Sequence, residues 1–310
     1  MGNKFYFFIL ALVIFSCKPY QEVGIRKGQI TYEQYRSQQR IFPTKEGIIK
    51  FIDKGDGPVI VLLHGAPTSG WMYRKMIDPL VKGGYRVIVP DMLGFGSSDS
   101  PEGYKIYDEE NQAKRLLDLM DFLGVEFWSQ VVHQMGGVWT WELMRQAPGK
   151  IEELVVLNTL IYEEGFFPPL RMTPGPVART KMWSYKSGIG TNKLLKDLFS
   201  EGLKENTLNE VDIEGYRTPL TEGKIDGLYH YYTRTCNYFP DYSLIFENLD
   251  IPVAVMWGVH DTYLQWPPQE LKVTQGLKVD PADIHLIDEK HFLTETKATE
   301  IAYKILRFLE

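Results

Sequence analysis

An α/β fold, with a mostly parallel sheet flanked by helices, is predicted by three observations. Short apolar runs of strand length at 58–63, 85–90, 127–132, 151–157 and 251–258 alternate with runs compatible with helix at 71–81, 109–123 and 138–145, the alternation expected of strand–helix–strand units. The run Pro58-Val59-Ile60-Val61-Leu62-Leu63 is apolar throughout, as a strand covered on both faces must be. Finally, 127–132 passes through Val131-Val132-His133-Gln134-Met135-Gly136-Gly137 into a helix-compatible run, giving a strand, a sharp turn and a helix.

With 310 residues, 44% of them hydrophobic, the chain can bury one large core or two smaller ones. Its net charge of -6 and lack of a long basic run give no electrostatic footprint for nucleic acid. Lys4, an apolar stretch over 5–15 and Ser16-Cys17 form a leader too short to span a bilayer comfortably. It resembles a bacterial lipoprotein signal, with Ile14-Phe15-Ser16-Cys17 as the lipobox. That resemblance implies a signal over 1–17, a lipidated Cys17 and a chain held to a membrane of the bacterial cell envelope; a plain secretory signal or an uncleaved anchor is the alternative. Polar residues 18–39 read as a tether. Only Cys236 remains besides Cys17, so no intrachain disulfide is expected.

Strands are predicted next at 40–43, 47–52 and 58–63, the last ending in His64-Gly65-Ala66-Pro67-Thr68-Ser69. A glycine turn there is either an ordinary tight turn or a loop that offers backbone N–H groups to a ligand. After a helix at 71–81, a strand at 85–90, the loop 91–99 and a helix at 109–123 comes the elbow. A small residue two positions past an elbow's apex lets helix and strand pack closely; Gly136 fills that place, which puts Gln134 at the apex. Following the strand at 151–157 and the turn Asn158-Thr159-Leu160, residues 162–242 carry Pro168, Pro169, Pro174, Pro176, many aromatics and helical runs at 191–203 and 222–235. The sheet resumes at 251–258, followed by Val259-His260-Asp261, and 284–287 is the last strand. Lys290-His291-Phe292-Leu293 opens the final helix, which ends at 308.

The motifs His64-Gly65-Ala66-Pro67-Thr68, Tyr73-Arg74-Lys75-Met76-Ile77 and Pro90-Asp91-x-x-Gly94-x-Gly96-x-Ser98-Asp99, with Met135-Gly136-Gly137 after the apex, resemble the haloalkane dehalogenase and epoxide hydrolase branch of the α/β-hydrolase family. The similarity runs over roughly 40–310 and is densest in 58–160. It implies an eight-stranded sheet whose core halves are 40–161 and 243–310, with 162–242 as a helical cap over the site. It also implies catalytic positions at Gln134, Asp261 and His291, and an oxyanion hole made by the N–H groups of Ala66 and Met135. Asp261 either orients a histidine and stabilises its cation or caps a turn. In the family, cap tyrosines protonate an opening epoxide and an indole N–H holds departing halide. Trp183, Tyr185, Tyr216, Tyr229 and Tyr232 either line such a pocket or simply pack.

The remaining histidines match no catalytic position. His64 belongs to the turn motif, His133 should point away from the pocket, and His230, His260 and His285 fall outside the pattern. No pair has metal-ligand spacing with a carboxylate, so neither a metal nor a cofactor is expected.

At the apex, attack on carbon requires an activated hydroxyl, a thiolate or a carboxylate. Gln134 is a neutral amide and one methylene longer than the aspartate of this branch. Ala66 stands where dehalogenases often carry Asn or Glu, Met135 replaces the usual Trp, and the arginine pair of fluoroacetate dehalogenases is missing, so dehalogenation is disfavoured. Three readings remain. An Asp261–His291 dyad activates water against a small apolar ester, lactone or epoxide, with Gln134 as a hydrogen-bonding group. Alternatively, a pseudo-hydrolase holds an apolar ligand at the cell envelope, or another residue is the nucleophile, although no Gly-x-Ser-x-Gly elbow exists.

Overall fold

The computed structural model describes Arg26, residues 28–205 and residues 207–310. The expected signal, Cys17 and the first part of the expected tether lie outside the described residues. The strands are β1 (Arg40–Pro43), β2 (Ile48–Lys54), β3 (Val59–Leu63), β4 (Arg86–Asp91), β5 (Trp128–Gln134), β6 (Ile151–Thr159), β7 (Val253–Gly258) and β8 (Ile284–Ile287). They form one eight-stranded sheet in the order β1-β2-β4-β3-β5-β6-β7-β8. The pairs β1–β2 and β2–β4 are antiparallel and all the others parallel.

Burial explains the strand composition. Every residue of β5 and β7 is buried, whereas only one of four is buried in each edge strand. Along β3 the side chains alternate between two cores: Ile60 and Leu62 join one, Val61 and Leu63 the other, as a strand's two-residue period requires. The helices around the sheet are α1 (Tyr32–Ser37), α2 (Arg74–Lys82), α3 (Glu109–Phe122) and α4 (Met135–Gln146). Between β6 and β7 come α5 (Pro176–Ser184), α6 (Gly188–Gly202), α7 (Glu210–Thr221), α8 (Asp226–His230) and α9 (Ser243–Glu247). The chain closes with α10 (Trp266–Gly276), α11 (Leu293–Thr296) and α12 (Ala298–Phe308). Leu116, Leu119 and Trp139 of α3 and α4 pack on the Val61 side, and Met76, Leu80, Ile301 and Ile305 of α2 and α12 on the Ile60 side. Among the described residues no helix is long and apolar enough to cross a membrane.

Two sequence expectations need correction. Within the stretch read as a tether, 32–37 is α1, entered through a capping box: Gln34 N–H donates to Thr31 Oγ1 at 3.1 Å and Thr31 N–H to Gln34 Oε1 at 2.9 Å. Tyr32 and Tyr35, three apart on one helix face, are buried edge-on against Trp71 at 5.4 and 5.3 Å. Average polarity hid this apolar face. The helix expected over 222–235 is instead the short α8 followed by a π-helical turn, Tyr231–Thr235.

Candidate active site

β5 delivers Gln134 to the carboxyl end of the sheet in a backbone conformation that side chains rarely adopt, φ 51° and ψ -112°. Such a conformation costs on the order of 1–3 kcal/mol and persists only where neighbours enforce it. Here the enforcement is close packing by glycine. A Cβ on Gly136 would stand 2.5 Å from the Leu63 carbonyl oxygen, and one on Gly65 would collide with the Gln134 side chain.

Both polar atoms of the Gln134 amide are engaged. Its Oε1 accepts from Ala66 N–H and Met135 N–H, each at 2.7 Å, and its Nε2 donates to Tyr231 Oη at 2.6 Å. The two backbone donors expected to form an oxyanion hole therefore converge on one oxygen, supplied by the chain itself. The amide nitrogen has no lone pair available for attack on carbon, so the apex residue cannot replace a carboxylate.

The structure brings Asp261 and His291 together. His291 Nδ1 lies 2.7 Å from Asp261 Oδ2, and both residues are buried. Asp261 is itself held on both oxygens. Oδ2 accepts from Asn158 Nδ2 at 2.6 Å, and Oδ1 accepts from the Tyr263 and Leu264 N–H groups at 2.8 and 3.1 Å. Asn158 closes the arrangement by accepting from Gly258 N–H at 2.8 Å. A carboxylate on Nδ1–H leaves Nε2 as the basic nitrogen.

Gln134, His291, Ala66, Tyr231 and Tyr232 line one small cavity, completed by apolar groups such as Leu198, Leu264 and Phe292. Its volume is about 10 Å³, room for about one water molecule. Of the five cap aromatics named from sequence, only Tyr232 reaches it. Trp183 is 68% exposed on the outer surface. Tyr185 is buried in the hydrophobic core, and the Tyr216 hydroxyl bonds Glu295. Tyr229 accepts from Gly175 N–H at 3.0 Å under the Arg179 guanidinium. The reason is helical geometry: which face of a cap helix meets the cavity depends on packing between helices, which aromatic content does not encode.

Sequence reading also missed Tyr231 and Asn158. Consecutive residues of an α-helix diverge by about 100°, so a pair of tyrosines facing one cavity is not anticipated; the π-helical turn brings both there. Burial, then nearby Cys236, pushes the Tyr231 phenol well above its usual range, so it stays protonated. Burial also pushes the Cys236 thiol up to about 12, which removes it as a thiolate nucleophile.

His64, His133, His230 and His260 have hydrogen-bond partners. His64 sits between Gly65 O at 2.7 Å and Met92 N–H at 3.0 Å, and burial lowers it to about 4. His133 donates to the His291 carbonyl at 3.0 Å, away from the cavity, and burial followed by the neighbouring His291 holds it well below the usual range. A group that spacing did not reveal is Asp108, Glu109 and His230, whose donor atoms lie within 4.8 Å of one another. His230 Nε2 already pairs with Asp108 at 2.9 Å, and Thr235 donates to Glu109 at 2.6 Å.

Together with the sheet order, these features are those of an α/β-hydrolase fold, and residues 58–298 match the alpha/beta hydrolase fold family, to which the chain belongs. Among curated relatives, a haloalkane dehalogenase of Mycolicibacterium paratuberculosis is 35% identical over 127 residues, covering 40% of this chain and 40% of that one. The bifunctional epoxide hydrolase 2 of Mus musculus is 33% identical over 157 residues, covering 50% of this chain and 28% of that one. The crystal structure of an epoxide hydrolase from Vigna radiata superposes with a TM-score of 0.69 at 21% identity, over 88% of this chain and 97% of that one, a likeness of fold.

Proposed function

We propose that the chain is a hydrolase in which His291, oriented by Asp261, activates water against a small apolar ester, lactone or epoxide. The observation that carries this reading is the buried His291–Asp261 pair at 2.7 Å, with every oxygen of Asp261 satisfied, beside two N–H donors that converge on one point. That is a base, its orienting acid and an oxyanion site. Gln134 serves as a hydrogen-bonding wall rather than a nucleophile, and Tyr231 is placed to donate a proton to an opening ring. A carbonyl substrate must displace Gln134 Oε1 from the donors, so the cap and the apex side chain move for entry.

A panel of esters, lactones, epoxides and haloalkanes presented to the full chain tests the substrate class. Hydrolysis within the first three classes is expected; among the described residues no indole lines the cavity to hold halide, and turnover confined to haloalkanes would overturn the reading. We also propose lipid anchoring at Cys17 in a bacterial cell envelope, supported by the leader's pattern. Partitioning into the detergent phase should be lost in Cys17→Ser; unchanged partitioning would sink the anchor.

A further inference from the structure

The best-placed carbonyl for this site is one that the chain already carries. Gln134 Oε1 lies 2.7 Å from both oxyanion donors, the amide plane is pinned by the Nε2 bond to Tyr231 at 2.6 Å, and His291 shares a cavity of about 10 Å³ with that amide, large enough for about one water. We infer that Gln134 is a substrate of its own site: the chain slowly hydrolyses this carboxamide, leaving a carboxylate at position 134 and releasing ammonia. The inference rests on the reading of His291 and Asp261 as a water-activating pair.

The step balances without an oxidant or cofactor. His291 Nε2 takes a proton from water while the water oxygen bonds to the amide carbon Cδ of Gln134. The carbonyl electrons move onto Oε1, where the Ala66 and Met135 N–H groups hold the charge. Asp261 stabilises the imidazolium formed on His291. The carbon–nitrogen bond then breaks as the imidazolium returns its proton to the departing nitrogen, and the new acid passes its proton to ammonia. Amide plus water becomes carboxylate plus ammonium. Fixed orientation substitutes for concentration here, as in other intramolecular reactions.

The product changes the chemistry of the cavity. One carboxylate oxygen stays with the two N–H groups, and the other replaces Nε2 against Tyr231, whose hydroxyl can turn to donate to it. The apex then presents a lone pair where the amide presented N–H.

The test is peptide mass spectrometry of the freshly made full chain and of His291→Ala, each incubated in heavy-oxygen water, with the exposed Gln34 and Gln275 as references. Conversion at position 134 is expected to outpace both references and to carry the heavy oxygen. It should be absent in His291→Ala, and His291→Gln, closer in size, repeats the comparison should the alanine variant misfold. A chain recovered already converted, beside an unconverted variant, gives the same answer. Conversion at 134 no faster than at the references, or equal in wild type and variants, would overturn the proposal. Hydrolysis of external substrates that depends on His291, with Gln134 still an amide, would remove self-hydrolysis alone; loss of both would remove the dyad as well.

Discussion

His291→Ala is expected to lower turnover by on the order of 10⁴-fold or more, the usual cost of deleting the base from a triad-type site. The reason is the lack of any substitute. His133, whose ring centroid is 4.6 Å from that of His291, is committed to the His291 carbonyl, and His64 is committed to the Gly65–Met92 turn. Substrate affinity should change little, because His291 forms only a small part of a mostly apolar wall. Steady-state kinetics on the full chain separates the two effects: kcat should fall while KM stays near the wild-type value. Undiminished kcat would remove His291 from the mechanism.

Arg74→Met is expected to destabilise the fold by about 3–5 kcal/mol, the cost of removing one partner from a buried ion pair. Arg74, on α2, donates to Asp212 of the cap helix α7 at 2.5 Å and to both oxygens of Glu295 at 2.5 and 2.8 Å, and stacks over Trp71 at 4.3 Å. Both carboxylate side chains are almost wholly buried. Lys75 reaches Glu295 at 2.8 Å but stands 4.0 Å from Asp212, so it cannot replace the guanidinium. Urea unfolding of both chains measures the loss, and a change below about 1 kcal/mol, the scale of a surface pair, would contradict the assignment. The pH dependence has a definite sign. Burial alone would raise both carboxyls, but the Arg74 guanidinium, with Lys75, outweighs it and holds both below their usual range. Their contribution is therefore present above the ordinary carboxylate pKa of about 4 and is lost as pH falls through the depressed values. In Arg74→Met burial is less opposed, and protonation relieves the stranded carboxylates. The gap between wild type and variant should narrow toward acid.

Much of the site was legible because it rests on local backbone rules. The elbow needed a small residue two positions past its apex, and Gly136 against the Leu63 carbonyl supplies the physical reason. Asp261 and His291 follow strands β7 and β8, at the positions that the resemblance to the family implied. Expectations failed where position depends on packing between distant segments. Trp183, Tyr185, Tyr216 and Tyr229 lie on cap elements whose rotation no local pattern fixes, while Tyr231 enters the site through a π-helical turn. Arg74 lies in the Tyr73-Arg74-Lys75-Met76-Ile77 motif, yet its partners are 138 and 221 residues away. Nor could the sequence show that the altered apex residue places its own oxygen between the two oxyanion donors.

The claim that water, rather than an atom of the chain, attacks the substrate is tested most directly by the intact mass of His291→Ala during exposure to a saturating substrate. Without the base, water cannot release a covalent intermediate, so any intermediate would accumulate. The chain is expected to keep its unmodified mass, whereas the Gln134→Asp, His291→Ala double variant, treated with an epoxide, should gain the mass of an alkyl ester at position 134. A substrate-derived adduct on His291→Ala with Gln134 intact would contradict direct attack by water and place the nucleophile on the residue that carries it.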